Sequence, residues 1–353
     1  MFCGENPTDK NKEHVIPRWL LEMTGSSTRV ATFAPVWNER ERKLDALRIP
    51  FRKFAFPACR TCNERFSDLE ASAKQVMEKL VSYEAVSSED LGVLLSWLDK
   101  VRTGLWLAFY FLQKNVWMID PHMAIADRID RSDRLVFIYR SVEKGEGVSI
   151  MGANTPAFQY LPVAFGLVVN DLGFLNASTD YLLARRLGLP HGFAEEWGEW
   201  PSVIYRLEPP RERVMLPVLR GEWSEMGTRV YQPMAGRDFV LDQLAIYRDS
   251  ATVQGLFGSP PSREGKVLIR TMNGLSEYKG EPSADWIPPA LPTRQRMAHL
   301  LFRDCARLQV QIAKDGPGTR GLGKERKAIV KAQHRAANAV LRDMLERLPN
   351  EPQ

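Results

Sequence analysis

Apolar and polar positions fall into three regimes along the chain. In the first, two β-leaning runs, 29–36 and 47–56, precede a stretch 67–83 where Leu69, Ala73, Val76, Met77 and Leu80 recur at three- and four-residue steps. That spacing predicts a helix with one buried face. The polar break Ser87-Ser88-Glu89-Asp90 then stands before a long apolar helix, predicted from Leu91 to about Leu112. Its most apolar part, 104–112, is too short to span a bilayer and predicts a buried helix, so no membrane is expected as a partner.

Between about 115 and 290 the pattern changes to short runs rich in Val, Ile, Phe and Tyr, and strands are predicted at 134–140, 148–151, 160–169, 202–207 and 266–270. Stretches such as Gly258-Ser259-Pro260-Pro261 punctuate them. This middle region shows no repeat and no motif that carries chemistry. The last 60 or so residues predict two amphipathic helices. Arg296, His299, Arg303, Arg307 and Lys314 lie along one face of the first, opposite Leu300, Leu301, Leu308 and Ile312. The second carries Lys327, Lys331, Arg335 and Arg342 on one stripe. The linker 316–323 between them is rich in Gly and holds a Pro, so it does not continue a helix.

Composition sharpens this division. With 44% hydrophobic and 26% charged residues the 353-residue chain is long enough for two or three cores. The net charge of +5 is unevenly spread. Between Arg294 and Arg347 nine Arg and four Lys stand against three Asp and two Glu, a surplus of eight, so the remainder is slightly acidic. A concentrated basic tail suits a polyanionic partner. The opening MFCGENPTDK lacks a basic segment followed by an apolar one, so a cytoplasmic location is expected. Three of the four cysteines, Cys3, Cys59 and Cys62, fall in the first 90 residues, the last two as a C-x-x-C knuckle that points to zinc more than to a disulfide.

Candidate chemistry is confined to three fragments: Cys3-Gly4, Lys12-Glu13-His14-Val15-Ile16-Pro17 and Cys59-Arg60-Thr61-Cys62-Asn63. Hydrolysis of a phosphodiester requires a nucleophilic water, a base beside it and a cation against the developing charge. Histidine serves as a base near neutral pH, and a carboxylate with an amide oxygen suits a hard divalent cation. Glu13, His14 and Asn63 are the residue types for those roles.

These fragments resemble the HNH, or ββα-metal, nuclease superfamily, and within it the zinc-knuckle branch that includes the recombination endonuclease VII type. In that branch an acidic residue directly precedes the base histidine, as Glu13 precedes His14, and an asparagine follows the last knuckle cysteine, as Asn63 follows Cys62. The run from Cys59 to Glu70 is similar to bacterial members. The resemblance covers about the first 80 residues, and it rests on the order of the motifs, since either alone is common. It implies His14 as general base, Glu13 and Asn63 as ligands of a catalytic Mg²⁺ or Mn²⁺, and Cys3, Cys59 and Cys62 as ligands of a structural Zn²⁺.

Two departures from the family pattern bear on the site. The first C-x-x-C pair is half present: Cys3 is its second member, and the first would precede Met1. Cys305 is a poor substitute, because it lies on an apolar stripe. The third motif position has no histidine, since none follows His14 until His122; Glu70 is the substitute, with Glu64 a further candidate. Glu70 also fits a capping box, Ser67-Asp68-Leu69-Glu70, and Asn63 also suits a helix N-cap. The 49 residues from His14 to Asn63 exceed a minimal ββ hairpin, so an insertion is expected around 20–48. His122 and His191 lack partner motifs and are expected to be structural.

The expected architecture is α+β. A ββα-metal nuclease domain occupies 1–90, a mixed α/β domain of unassigned role 91–290, and a basic helical hairpin 291–353, whose Arg303, Arg307, Lys327, Lys331 and Arg335 would contact nucleic acid. The expected activity is metal-dependent endonucleolytic hydrolysis, with DNA the expected substrate. Two other readings stay open: a zinc-stabilised nucleic-acid-binding or scaffold protein that does not cut, and a phage-defence nuclease whose middle domain senses a regulatory ligand or protein partner.

Overall fold

The computed structural model describes residues 11–38, 41, 43–115, 133–160, 162–179, 191–197, 202–208, 228–235, 248–271, 274–280 and 289–315, with residues 328, 335 and 339 besides. Cys3, Lys327, Lys331, His122 and the linker 316–323 lie outside them. Helices combine with antiparallel sheets, which makes the fold α+β.

The first strand, β1 (Asn11–His14), is followed by a short helix, α1 (Arg18–Met23). A hairpin of β2 (Val30–Asn38) and β3 (Lys43–Pro50) comes next, then β4 (Ala55–Ala58), α2 (Arg60–Arg65) and α3 (Ser67–Val81). The two β-leaning runs of the sequence therefore pair mainly with each other: β2 and β3 close their own two-stranded sheet. It is β4 that returns to β1, with Glu13 opposite Phe56 and His14 opposite Ala55. The segment between β1 and β4 holds α1 and the β2–β3 hairpin and includes residues 20–48, and β4 is followed directly by the helix pair α2 and α3.

Ser87 opens the long helix α4 (Ser88–Leu112) with a reciprocal cap: Asp90 N–H donates to Ser87 Oγ at 3.1 Å, and Ser87 N–H to Asp90 Oδ2 at 2.8 Å. From Leu94 onward almost every side chain of α4 is buried. One side packs on Phe56, Val15 and α3, the other on a large sheet, so one hydrophobic cluster runs unbroken across residue 90.

That sheet contains β5 (Asp133–Ser141), β6 (Val148–Met151), β7 (Ala164–Val169), β8 (Leu172–Thr179), β11 (Thr228–Gln232), β12 (Leu268–Thr271) and β13 (Gly274–Glu277). Its order is β13-β12-β11-β5-β8-β7-β6, all antiparallel, with β14 (Pro289–Leu291) parallel to the end of β5. A separate hairpin pairs β9 (His191–Trp197) with β10 (Ser202–Glu208). Alternation along β5 sends Val136 and Ile138 to the α4 side, and Leu135, Phe137 and Tyr139 to the other. There α7 (Arg294–Asp315) covers the sheet with Met297, Leu300, Leu301, Cys305 and Leu308; α5 (Pro156–Tyr160) and α6 (Ala251–Phe257) are the shorter helices between. The helix expected to begin a basic tail thus forms one wall of the sheet's core.

Cys305 sits at 0% exposure, and burial pushes its thiol far above the ordinary range, as its place on an apolar stripe implies. Gly152 lies against it with φ +74°; a Cβ there would stand 2.5 Å from Cys305 Sγ. Gly92 in α4 has the opposite setting, with nothing within 4 Å of a built Cβ. Gly152→Ala is therefore expected to lower unfolding free energy by roughly 1–3 kcal/mol, and Gly92→Ala to raise it by up to about 1 kcal/mol. Urea unfolding followed by circular dichroism measures both, and equal midpoints for the two variants would contradict this packing.

Candidate functional site

The two-residue period of a strand decides where the Glu13-His14 pair points. Glu13 turns inward and is 5% exposed, while His14 turns outward to solvent. The two residues therefore belong to two different environments.

On the inner side, Lys100 Nζ of α4 lies 2.6 Å from Glu13 Oε1 and 2.6 Å from Glu70 Oε1 of α3. The Trp19 indole N–H donates to Glu70 Oε2 at 2.9 Å and that of Trp97 to Oε1 at 3.3 Å. The Phe66 ring lies 5.7 Å from the ammonium. Burial raises the Glu13 carboxyl above its usual range, the strongest influence on it, and the nearby Lys100 pulls the other way. Glu70 does not close a capping box. Helix α3 begins without a side-chain cap, and Ser67 Oγ donates instead to Glu64 C=O at 2.8 Å.

On the outer side, His14 opens into a cavity of about 260 Å³ lined by Ile16, Arg18, Leu21, Ser27 and Arg52. Ile16 and Leu21 are buried and form an apolar floor. Arg18 stands at the start of α1, exposed and paired to Glu22 at 2.7 Å, and Arg52 projects from the 3₁₀ turn Phe51–Lys53. Apart from His14, every lining residue comes from the segment between β1 and β4. A histidine beside two guanidinium groups and a hydroxyl suits a phosphate-bearing ligand.

Cys59 stands at the N-cap position of α2 and Cys62 within it, both half-buried, with Cys62 against the main core. Asn63 follows inside α2 rather than capping it; its N–H bonds to Cys59 C=O at 3.1 Å. Two cysteines so placed could supply two of the four ligands of a tetrahedral zinc site. For a divalent ion shared by Glu13 and Glu70 the donor set does not fit, because the Lys100 ammonium stands between them on Glu13 Oε1 and Glu70 Oε1, and two indoles bind Glu70 as well. Among the described residues no group of three or more His, Cys, Asp or Glu side chains gathers to hold a metal ion. Of the basic residues expected to meet nucleic acid, Arg303 is half-buried and pairs with the buried Asp304 at 3.0 Å; Arg307, at 3.7 Å from the same carboxylate, is exposed, as is Arg335.

Sequence reading missed Lys100, Trp19 and Trp97 inside, and Arg18 and Arg52 outside. The inner set left one signal: Asp99, Lys100 and Arg102 interrupt an otherwise apolar helix, and buried charges require partners. Comparison with protein-family models, curated proteins and solved structures finds no match for this chain.

The raised Glu13 carboxyl has a pH consequence. The folded chain keeps this proton at pH values where the unfolded chain has lost it, so its contribution is complete below the unfolded value, about 4.5, and disappears as pH rises through the folded value. Glu13→Gln removes the linkage. Melting curves between about pH 4 and pH 8 are expected to show wild type losing stability relative to Glu13→Gln as pH rises. A difference that stays constant over that range would contradict the raised carboxyl.

Proposed function

We propose that the chain is a nucleic-acid endonuclease, with DNA the expected substrate, in which His14 takes a proton from the attacking water. The observation that carries this reading is the outer cavity, where an exposed histidine shares about 260 Å³ with Arg18, Arg52 and Ser27. Further support comes from the order of elements. An antiparallel strand pair, β1 with β4, leads into a helix bearing Cys59, Cys62 and Asn63, the arrangement the resemblance to ββα-metal nucleases calls for. Exposed Arg307 and Arg335, within a segment carrying eight surplus positive charges, favour a polyanionic partner.

In this reading the two guanidinium groups hold the phosphodiester by its non-bridging oxygens and offset the charge that builds on them. Water forms the new bond to phosphorus as its proton passes to His14. The ester bond on the far side breaks, and the departing oxygen takes a proton from solvent. Because Lys100 binds Glu13 and Glu70, no step is assigned to a divalent ion there. A structural zinc on Cys59 and Cys62, completed by ligands such as Cys3, would fix the start of α2 against the core.

Supercoiled plasmid incubated with the protein is expected to be nicked. His14→Ala is expected to cut roughly 10²–10⁴-fold more slowly, and Arg52→Ala and Arg18→Ala to lose roughly tenfold or more each. All three side chains are exposed, so circular dichroism is expected to stay that of wild type. Undiminished cutting by His14→Ala removes His14 from its role. Plasmid binding without any cutting by wild type favours the non-cleaving, zinc-stabilised scaffold.

A further inference from the structure

Glu13, Lys100 and Glu70 form a cation site that is already filled. Lys100 and Glu13 side chains are each 6% exposed and that of Glu70 18%, so the three charges meet almost out of water. The two carboxylate oxygens, each 2.6 Å from Nζ, lie no more than about 5 Å apart. A bound Mg²⁺ spans roughly 4 Å between opposite oxygen ligands, a distance that falls within this limit.

We infer that Lys100 is the resident cation of this pocket. Its ammonium holds, from α4, the place between β1 and α3 that a divalent ion needs in order to use Glu13 and Glu70. The wild-type chain takes up no such ion there, and removal of the amine converts the same carboxylates into a divalent-cation site.

Three observations support the inference. Lys100 is carried by a helix whose neighbouring residues Trp97, Leu98 and Val101 are 0–2% exposed, so the amine does not leave its position without moving α4. Glu70 is surrounded by donors: Lys100 and Trp97 on Oε1, Trp19 on Oε2. Indole N–H groups serve a carboxylate that balances a charge, and they compete with a metal for its lone pairs. Finally, the Phe66 ring beneath the ammonium favours an organic cation over a hydrated one. None of this depends on hydrolysis at His14, which lies on the other side of β1.

The test is Mn²⁺ uptake by the full chain, read as loss of the free-ion electron paramagnetic resonance signal, with melting temperature alongside. Wild type and Glu13→Gln are expected to titrate alike. Lys100→Ala is expected to melt lower than wild type, to take up one additional Mn²⁺ per chain, and to regain melting temperature as Mn²⁺ is added. The double variant Glu13→Gln/Lys100→Ala is expected to show neither uptake nor recovery. A Mn²⁺ bound by wild type and lost in Glu13→Gln overturns the inference, because the ion then displaces the lysine. Folded Lys100→Ala without additional uptake overturns it equally. If Lys100→Ala folds only when refolded with Mn²⁺, the inference stands; if it folds under neither condition, the comparison of wild type with Glu13→Gln decides alone. Plasmid cutting does not enter any of these readouts, so failure here leaves the assignment of His14 to its own experiment.

Discussion

Burial of α4 on all sides is the constraint from which the rest of the described structure follows. A helix apolar around its circumference has to be covered on every face, and this one receives α3, Val15 and Phe56 on one side and β5 and β8 on the other. Charges inside such a helix are costly unless paired, and α4 carries three in four positions. Successive residues turn by about 100°, so Asp99 and Arg102 share a side while Lys100 points elsewhere. Arg102 accordingly bonds Asp99 at 2.6 Å and Asn176 of β8 at 2.7 Å, while Lys100 reaches Glu13 and Glu70. The charges therefore fix the rotation of the helix between its two neighbours, which apolar contact alone leaves loosely defined.

Two further contacts hold the first unit to the sheet. The Tyr83 hydroxyl donates to Asp171 in the β7–β8 turn, which Lys144 also binds at 2.7 Å, and the Tyr278 hydroxyl donates to Val86 C=O at 2.9 Å. The core elements that carry the candidate site and the sheet that flanks them are thus packed as neighbours, with α4 as the common wall. The outer cavity owes its character to a different source. Its arginines belong to the segment between β1 and β4, so the strand pair supplies the histidine and that segment supplies the positive charge around it.

How much of this was legible in the sequence depended on whether the signal was local. The periodicity at 67–83 and the apolar stretch after Ser87 translated into α3 and α4, and the run at 148–151 into β6. Strand β8 was missed because Asn170-Asp171 makes the turn after β7, with Asn170 at φ +55°, where an Asn-Gly signal was absent. Strand β11 leaves no such signal because its sequence Thr-Arg-Val-Tyr-Gln has only Val230 and Tyr231 as apolar residues, and it is its pairing with β5 and β12 that makes it a strand. The β2–β3 hairpin is half legible: β-leaning runs are a local signal, but pairing is a non-local choice, and β4 rather than β3 meets β1. At the site, adjacency in sequence suggested one function for Glu13 and His14, whereas strand alternation assigns them to opposite faces. Lys100 lies 87 positions from Glu13, beyond the reach of any motif.

The reason for a buried lysine at this point is best sought in register rather than stability. An apolar trio of similar volume would fill the same space without the desolvation cost of three charges, so the cluster adds little stability over such a core. Its effect is discriminating. The strand β1 has only four residues, and its pairing with β4 leaves a one-residue slip as the nearest alternative. Such a slip would turn His14 inward against an ammonium and the Trp19 and Trp97 indoles, groups that offer only donors, and would strand Lys100 with one carboxylate instead of two. Glu13 would be carried out to the cavity, beside Arg18 and Arg52. The native register satisfies all these groups at once. In that register Glu13 meets Lys100 of α4 on the inner face of β1 while His14 faces outward, so the same strand pairing serves both the buried cluster and the candidate base.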